Sequence, residues 1–315
     1  MKDNKIHHIY DRAFKKILTL SSTAIINLIN GLFETNYPTD SIITYNWTEF
    51  ENHNLKRVLA DTIITINHKY SYHMEAQMTT DNSIIFRVFE YGYNHANRQP
   101  NLADNELIFP EPIIIYLYHE GNIPDEYTLK LNFGSQGSFD YTVKTFKYLE
   151  TSVDELNKRK MIILIPFQLL KLRKLIEKER SEENLTQLKK LIQNDIIGSI
   201  EENFELGNLT FEDCHRLKSL THMLYNHIYS HYYDLEVITE MDQSLMLDVD
   251  YIFEEFDKKM AEKQKALAEK DNELAEKNNE LAEKNNELAE KDIIIAEKNN
   301  RIKELEEQIE SLKKI

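Results

Sequence analysis

The side chains best suited to chemistry lie on two short neighbouring segments. Asp61 sits in Val58-Leu59-Ala60-Asp61-Thr62-Ile63-Ile64-Thr65-Ile66, and Glu75 and Gln77 sit in Tyr70-Ser71-Tyr72-His73-Met74-Glu75-Ala76-Gln77. Both segments read as strands. Residues two apart on a strand face the same side, so Glu75 and Gln77 project together. A hairpin through Asn67-His68-Lys69 would bring Asp61 alongside them. Two carboxylates and an amide converging on one point suit a hard divalent cation such as Mg²⁺. That ion takes oxygen ligands and keeps several waters, one of which can become a nucleophile. Taken alone the pattern is weak, because an Asp and a Glu on neighbouring strands usually face solvent.

The elements that must position these residues follow from hydrophobic spacing. Asp11-Arg12-Ala13-Phe14-Lys15-Lys16-Ile17-Leu18 opens a helical pattern that continues through Ile25, Ile26, Leu28, Ile29 and Leu32, with Gly31 near an end. After the two strands, Asn82 to Arg98 returns to helical spacing through Ile85, Phe86, Phe89 and Tyr93. Pro112-Ile113-Ile114-Ile115-Tyr116-Leu117-Tyr118 is apolar on both faces and predicts a buried central strand. Two further strands, over 127–133 and 141–148, flank a turn at Gly134-Ser135-Gln136-Gly137. This order predicts an α/β fold with a mixed sheet flanked by helices. From Asp154 the chain reads as helical, over 169–179, 183–204, 212–233 and from 248 into the tail. The expected organisation is a core over 1–153, a helical subdomain over 154–256 and a separate tail over 257–315.

The tail repeats at seven residues: Ala268-Glu-Lys-Asp-Asn-Glu-Leu274 is followed by two near-copies ending at Leu281 and Leu288, and Ile295, Ile302 and Ile309 keep the Leu position. Seven is the coiled-coil period, but only one position per heptad is strongly apolar before Leu305. One phase puts Lys277, Lys284 and Lys291 at d, and the other puts Asn278 and Asn285 at a. From Asp257 onward there are 16 acidic and 13 basic residues, a mixed-charge helix and not a basic arm. A solvated helix with no partner and self-association through 257–315 are the two readings of this tail.

Composition bounds the rest. With 41% hydrophobic and 10% aromatic residues the chain belongs with folded proteins. A net charge of −16 argues against nonspecific coating of nucleic acid, yet leaves room for a nuclease whose bound metal cancels charge where phosphate sits. Cys214 is the sole cysteine, so no intrachain disulfide can form, and with no apolar leader at Met1 to His8 a cytoplasmic protein without membrane association is expected. His222, His227 and His231, with Cys214 and His215 upstream, have zinc-like spacing, but the surrounding Tyr225, Tyr229, Tyr232 and Tyr233 favour an aromatic packing face. Only 7 Gly leave no phosphate-cradling loop, and no Gly-x-Ser-x-Gly elbow occurs.

An acid on one strand, then Glu-x-Gln on the next, with Tyr10-Asp11-Arg12-Ala13-Phe14-Lys15 upstream and a helix carrying Arg87, Tyr91 and Tyr93 downstream, resembles the PD-(D/E)XK nuclease superfamily. The resemblance is closest to its Rpn branch, the recombination-promoting nucleases often labelled transposases. It covers about residues 7 to 235 and omits the tail. It implies a restriction-endonuclease-like core and a metal-dependent DNA endonuclease that hydrolyses phosphodiester bonds, in the setting of recombination, mobile-element movement or defence. Asp61 and Glu75 would hold Mg²⁺, with Mn²⁺ as a substitute, and Gln77 would position the attacking water. Asp11 would assist through a metal-bound water or serve as a helix N-cap, and Arg87 would contact phosphate. Two departures stand out. Ala60 replaces Pro, which leaves the carboxylate chemistry intact, and Gln77 replaces the superfamily's Lys, which removes a cation from the site. The rival expectation is a catalytically silent, nuclease-like assembly module. A DDE-type transposase would need three widely spaced acids on an RNase H-like sheet, which the sequence does not display.

Overall fold

The computed structural model describes residue 10 and residues 12–46, 49–51, 57–59, 62–98, 105–119, 121–179, 181–230 and 240–312. It divides into two compact units, Met1–Phe256 and Asp257–Ile315. The first unit is mixed α/β. A helix over residues 12–17 (α1) leads into α2 (Ser22–Phe33), which starts where the Ser21 hydroxyl accepts the Ala24 amide. Buried Ala24, Ile25, Ile26, Leu28, Ile29 and Leu32 explain why this stretch is helical, since apolar residues recur at helical spacing.

Among the described residues eight strands follow: β1 (Ile43–Asn46), β2 (Glu49–Glu51), β3 (Arg57–Leu59), β4 (Ile63–Ile66), β5 (Tyr70–Gln77), β6 (Glu111–Tyr116), β7 (Glu126–Asn132) and β8 (Ser138–Lys147). Six form one sheet in the order β1-β4-β5-β6-β8-β7. β4 runs antiparallel to both β1 and β5, β6 is parallel to both β5 and β8, and β7 is antiparallel to β8. A parallel pair needs a crossover, and α3 (Ile84–Arg98) supplies it between β5 and β6. The central strand forms over Glu111–Tyr116, where Ile113 to Tyr116 are all buried. Burial on both faces accounts for its unbroken apolar run.

One expectation is revised. The stretch 58–66 is not a single strand, because Arg57–Leu59 pairs with Glu49–Glu51 in a separate two-stranded ribbon and only Ile63–Ile66 joins the main sheet. β1 also escaped the sequence pattern, being four residues long, with Ile43 and Tyr45 only half-buried on either side of an exposed Thr44.

The α3 face of the sheet buries Ile114, Tyr116 and Val143 against Ile84, Ile85 and Val88. The opposite face presents Tyr72, which meets the Phe33 ring at 4.6 Å at the end of α2. Helices α4 (Val153–Lys158), α5 (Leu169–Lys178), α6 (Glu182–Lys190), α7 (Gly198–Glu205) and α8 (Phe211–Tyr225) complete the first unit, with a buried 3-10 stretch at Ile162–Gln168 and π-helical turns at Leu191–Ile197. Gly31 is needed at its place in α2, where an added Cβ would lie 2.7 Å from the Arg159 carbonyl oxygen and press on the Met161 side chain. Helix α8 is fastened to the chain entering α2: Asp213 closes a capping box with Thr210 and also accepts the Ser21 amide at 2.8 Å. Helix α9 (Glu240–Leu312) provides the second unit from Asp257 onward. There Leu267, Leu274, Leu281, Leu288, Ile295 and Ile302 are each more than half exposed. Among the described residues no helix is long and apolar enough to cross a membrane.

Candidate functional site

β4 and β5 are joined through Asn67-His68-Lys69, with Asn67 and His68 in the left-handed region (φ 52° and 56°) and the Lys69 amide donating to the Ile66 carbonyl at 3.0 Å. Left-handed backbone is tolerated best by short polar side chains such as Asn, which fits the tight reversal. The register is set by Ile63↔His73, and the Met74 amide donates to the Thr62 carbonyl at 3.2 Å. The chain neighbour of Asp61 is therefore bonded to the chain neighbour of Glu75. Asp61 itself, and Asp11, lie outside the described residues.

Strand alternation puts Ser71, His73, Glu75 and Gln77 on the α3 face. Three positions of α3 spaced by four, Arg87, Tyr91 and His95, cover that row from above. His95 Nε2 lies 3.3 Å from the Ser71 hydroxyl, the Tyr91 ring meets the His73 ring edge-on at 6.0 Å, and Arg87 reaches Glu75 Oε1 at 3.3 Å. Strand and helix thus cross the same ground in opposite directions, matching one polar side chain to the next.

Glu75 is 5% exposed. Burying a carboxylate is costly unless donors surround it, and here the Gln77 amide donates to Oε1 at 3.1 Å beside the Arg87 guanidinium. Arg87 also touches Asp81 Oδ2 at 3.5 Å. Asp81 is fixed in turn by the Ser83 amide at 2.8 Å and the Ser83 hydroxyl at 2.6 Å, a local turn that opens α3. Partial burial would raise the Asp81 pKa, but those two donors and Arg87 prevail and hold it below the usual carboxylate range. Arg87 is thus engaged by two acids. Its side chain is 39% exposed, which leaves it reachable from solvent.

His73 is fully buried, and desolvation, reinforced by His95, pushes its pKa down to about 3. It is neutral at ordinary pH, so its 4.0 Å approach to Glu75 Oε2 is not an ion pair. The Tyr116 hydroxyl, paired with Tyr127 at 2.9 Å, closes the Gln77 end of the row, where the Leu117 amide donates to the Gln77 carbonyl at 2.9 Å.

His73, Asp81 and His95 complete this site and were not singled out by sequence. His73 was legible in principle, two residues before Glu75 on the same strand face. Asp81 and His95 carry no such signal. Among the described residues, the histidines of α8 and of the π-helical turn after it (Asn226–Ser230) do not gather. His215 packs on Phe211 at 4.5 Å, His222 on Phe253 at 5.0 Å with Asp250 Oδ1 3.7 Å away, and the His227 ring lies 5.9 Å from that of Tyr10. His231 lies outside the described residues.

Among the described residues no group of three or more His, Cys, Asp or Glu could hold a metal ion. What β5 offers is one buried carboxylate and one amide, an oxygen donor set suited to a hard cation once a second acid is supplied. Comparison with known protein families, with curated proteins and with solved structures finds no match to this chain.

Proposed function

We propose that the chain is a metal-dependent DNA endonuclease with a restriction-endonuclease-like core, as its resemblance to the Rpn branch implies. The observation that carries this reading is the buried Glu75 carboxylate, next to Gln77 and Arg87, on a strand whose neighbouring Met74 amide bonds to the residue after Asp61. A buried acid at a solvent-reachable edge is the kind of environment from which functional sites are built. Asp61 and Glu75 would hold Mg²⁺, which when bound polarises a phosphate and lowers the pKa of a water. Gln77, whose NH2 group already donates to Glu75, would position the attacking water through its carbonyl oxygen. Arg87 meets the negative charge of the phosphodiester, and its present contacts with Glu75 and Asp81 hold it at the mouth of the site. The test is nicking or linearisation of plasmid DNA with Mg²⁺ or Mn²⁺. Wild type should cut while Asp61→Ala and Glu75→Ala should not, and cutting untouched by both substitutions would refute the site.

The silent-module reading draws on the Arg87 contact, since a guanidinium on Glu75 competes with any cation. Metal titration separates the two, because a silent module has no Glu75-dependent binding of Mn²⁺. In either case the tail has its own role. With the exposed Leu row at d, Ala268, Ala275 and Ala282 fall at e and widen the apolar stripe, while Asn278, Asn285 and Asn299 fall at a. Asp271 and Asp292 fall in the same a row, so its polar groups lower the stability of a coil, and it is the exposed Leu row that a second copy of the chain would cover. Two copies would give a nuclease one site for each DNA strand.

A further inference from the structure

The side chain hardest to explain by packing is His73. It is 0% exposed, and among the described residues neither Nδ1 nor Nε2 has a hydrogen-bond partner. Buried polar atoms are nearly always paired, and an orphan one lowers stability, so an apolar residue of similar size would suit a purely structural position better. Its described neighbours leave both nitrogens unsatisfied. The Tyr91 ring meets it edge-on, and His95 spends its Nε2 contact on Ser71. Among the described residues it approaches the carboxylate of Glu75, with Oε2 at 4.0 Å, about 1 Å beyond hydrogen-bonding distance.

We infer that His73 is a positioning residue for Glu75: in the tautomer protonated at Nε2 it donates a hydrogen bond to Oε2 when the carboxylate turns from Arg87 to hold a cation. The inference rests on the proposed function and adds to it the support that Glu75 needs. Arg87 and His73 approach different oxygens of the carboxylate, Oε1 at 3.3 Å and Oε2 at 4.0 Å. A rotation of the carboxyl group that draws Oε1 away from Arg87 toward a cation would close the remaining gap between Oε2 and His73. The exchange explains why the sheet keeps an unsatisfied imidazole. It is unpaired in the cation-free arrangement and paired in the loaded one, where it becomes an outer donor of the kind that orients metal-binding carboxylates.

The experiment is calorimetric titration of the full-length chain with Mn²⁺, together with thermal unfolding in metal-free buffer. The forms compared are wild type, Glu75→Gln, His73→Phe, His73→Leu and His73→Gln. Glu75→Gln should abolish binding. His73→Phe should weaken it by about 10- to 100-fold while unfolding at the same temperature as wild type or higher. His73→Gln places an amide donor near the position of Nε2 and should recover most of the affinity. His73→Leu removes the same donor with a smaller side chain, in case the Phe ring does not fit. If the folded Phe or Leu variant binds Mn²⁺ as wild type does, the positioning role is refuted while the proposed function stands. If Glu75→Gln binds as wild type does, both fail.

Discussion

The row on β5 and the row on the tail are opposites. Under α3, Ser71, His73 and Glu75 alternate along a strand and are covered by His95, Tyr91 and Arg87, so polar groups lie inside. On α9, Leu267 to Ile302 recur every seven residues and lie outside, apolar groups in solvent. Each arrangement is costly by itself, the first through desolvation and the second through exposed apolar area. The difference teaches what each row awaits. A buried polar row is completed by a charge or by hydrogen bonds, and an exposed apolar row by another apolar surface.

Substitutions can break this contrast at either end. The largest effect is expected at the buried row, where Glu75→Ala should lower plasmid cleavage on the order of 10³-fold, the several kcal/mol of stabilisation a metal supplies, measured as initial nicking rate. At the exposed row, Leu274→Asp with Leu281→Asp should convert a dimer to a monomer by light scattering, with unfolding of the first unit unchanged. If mass is unaffected by that pair, the tail is a solvated helix. Arg87→Ala leaves Glu75 buried beside fewer donors. Because Arg87 is 39% exposed, the cost should be about 1–2 kcal/mol, less than that of a fully buried pair, read from chemical denaturation.

The smallest effect sharpens the contrast through pH. The His73 pKa lies near 3 in the folded chain against an ordinary value of 6.5. Between those values the unfolded chain binds a proton that the native one does not, so stability rises with pH across that window and falls on acidification. Acidifying metal-free protein from about pH 7 to about pH 5.5 should cost roughly 1 kcal/mol through this group. His73→Phe should remove that portion of the slope.

Periodicity alone yields α3, β5 and β6. Ile85, Phe86, Phe89 and Tyr93 keep helical spacing, the 113–116 run is apolar on both faces, and Glu75 and Gln77 share a side wherever the strand pairs. What periodicity cannot resolve is where the 58–66 stretch changes partners. A run of apolar residues looks alike whether it pairs with β2 in a ribbon or with β1 and β5 in the sheet. Asp81 was equally hidden: its work depends on Arg87, six positions onward, reaching back over a turn made by Ser83. Arg87 was expected on phosphate, and the fold sets it between two acids first.

The sequence by itself determined the spacing of Glu75 and Gln77, the helix that follows them and the seven-residue row of the tail, because local geometry repeats with fixed periods of 2, 3.6 and 7 residues. Only the tertiary structure decided that Glu75 is buried, that Arg87 and Gln77 share one of its oxygens, and that a neutral imidazole waits near the other. Those facts depend on how α3 lies across β5. Desolvation is a property of the surrounding volume, which no single segment of chain contains.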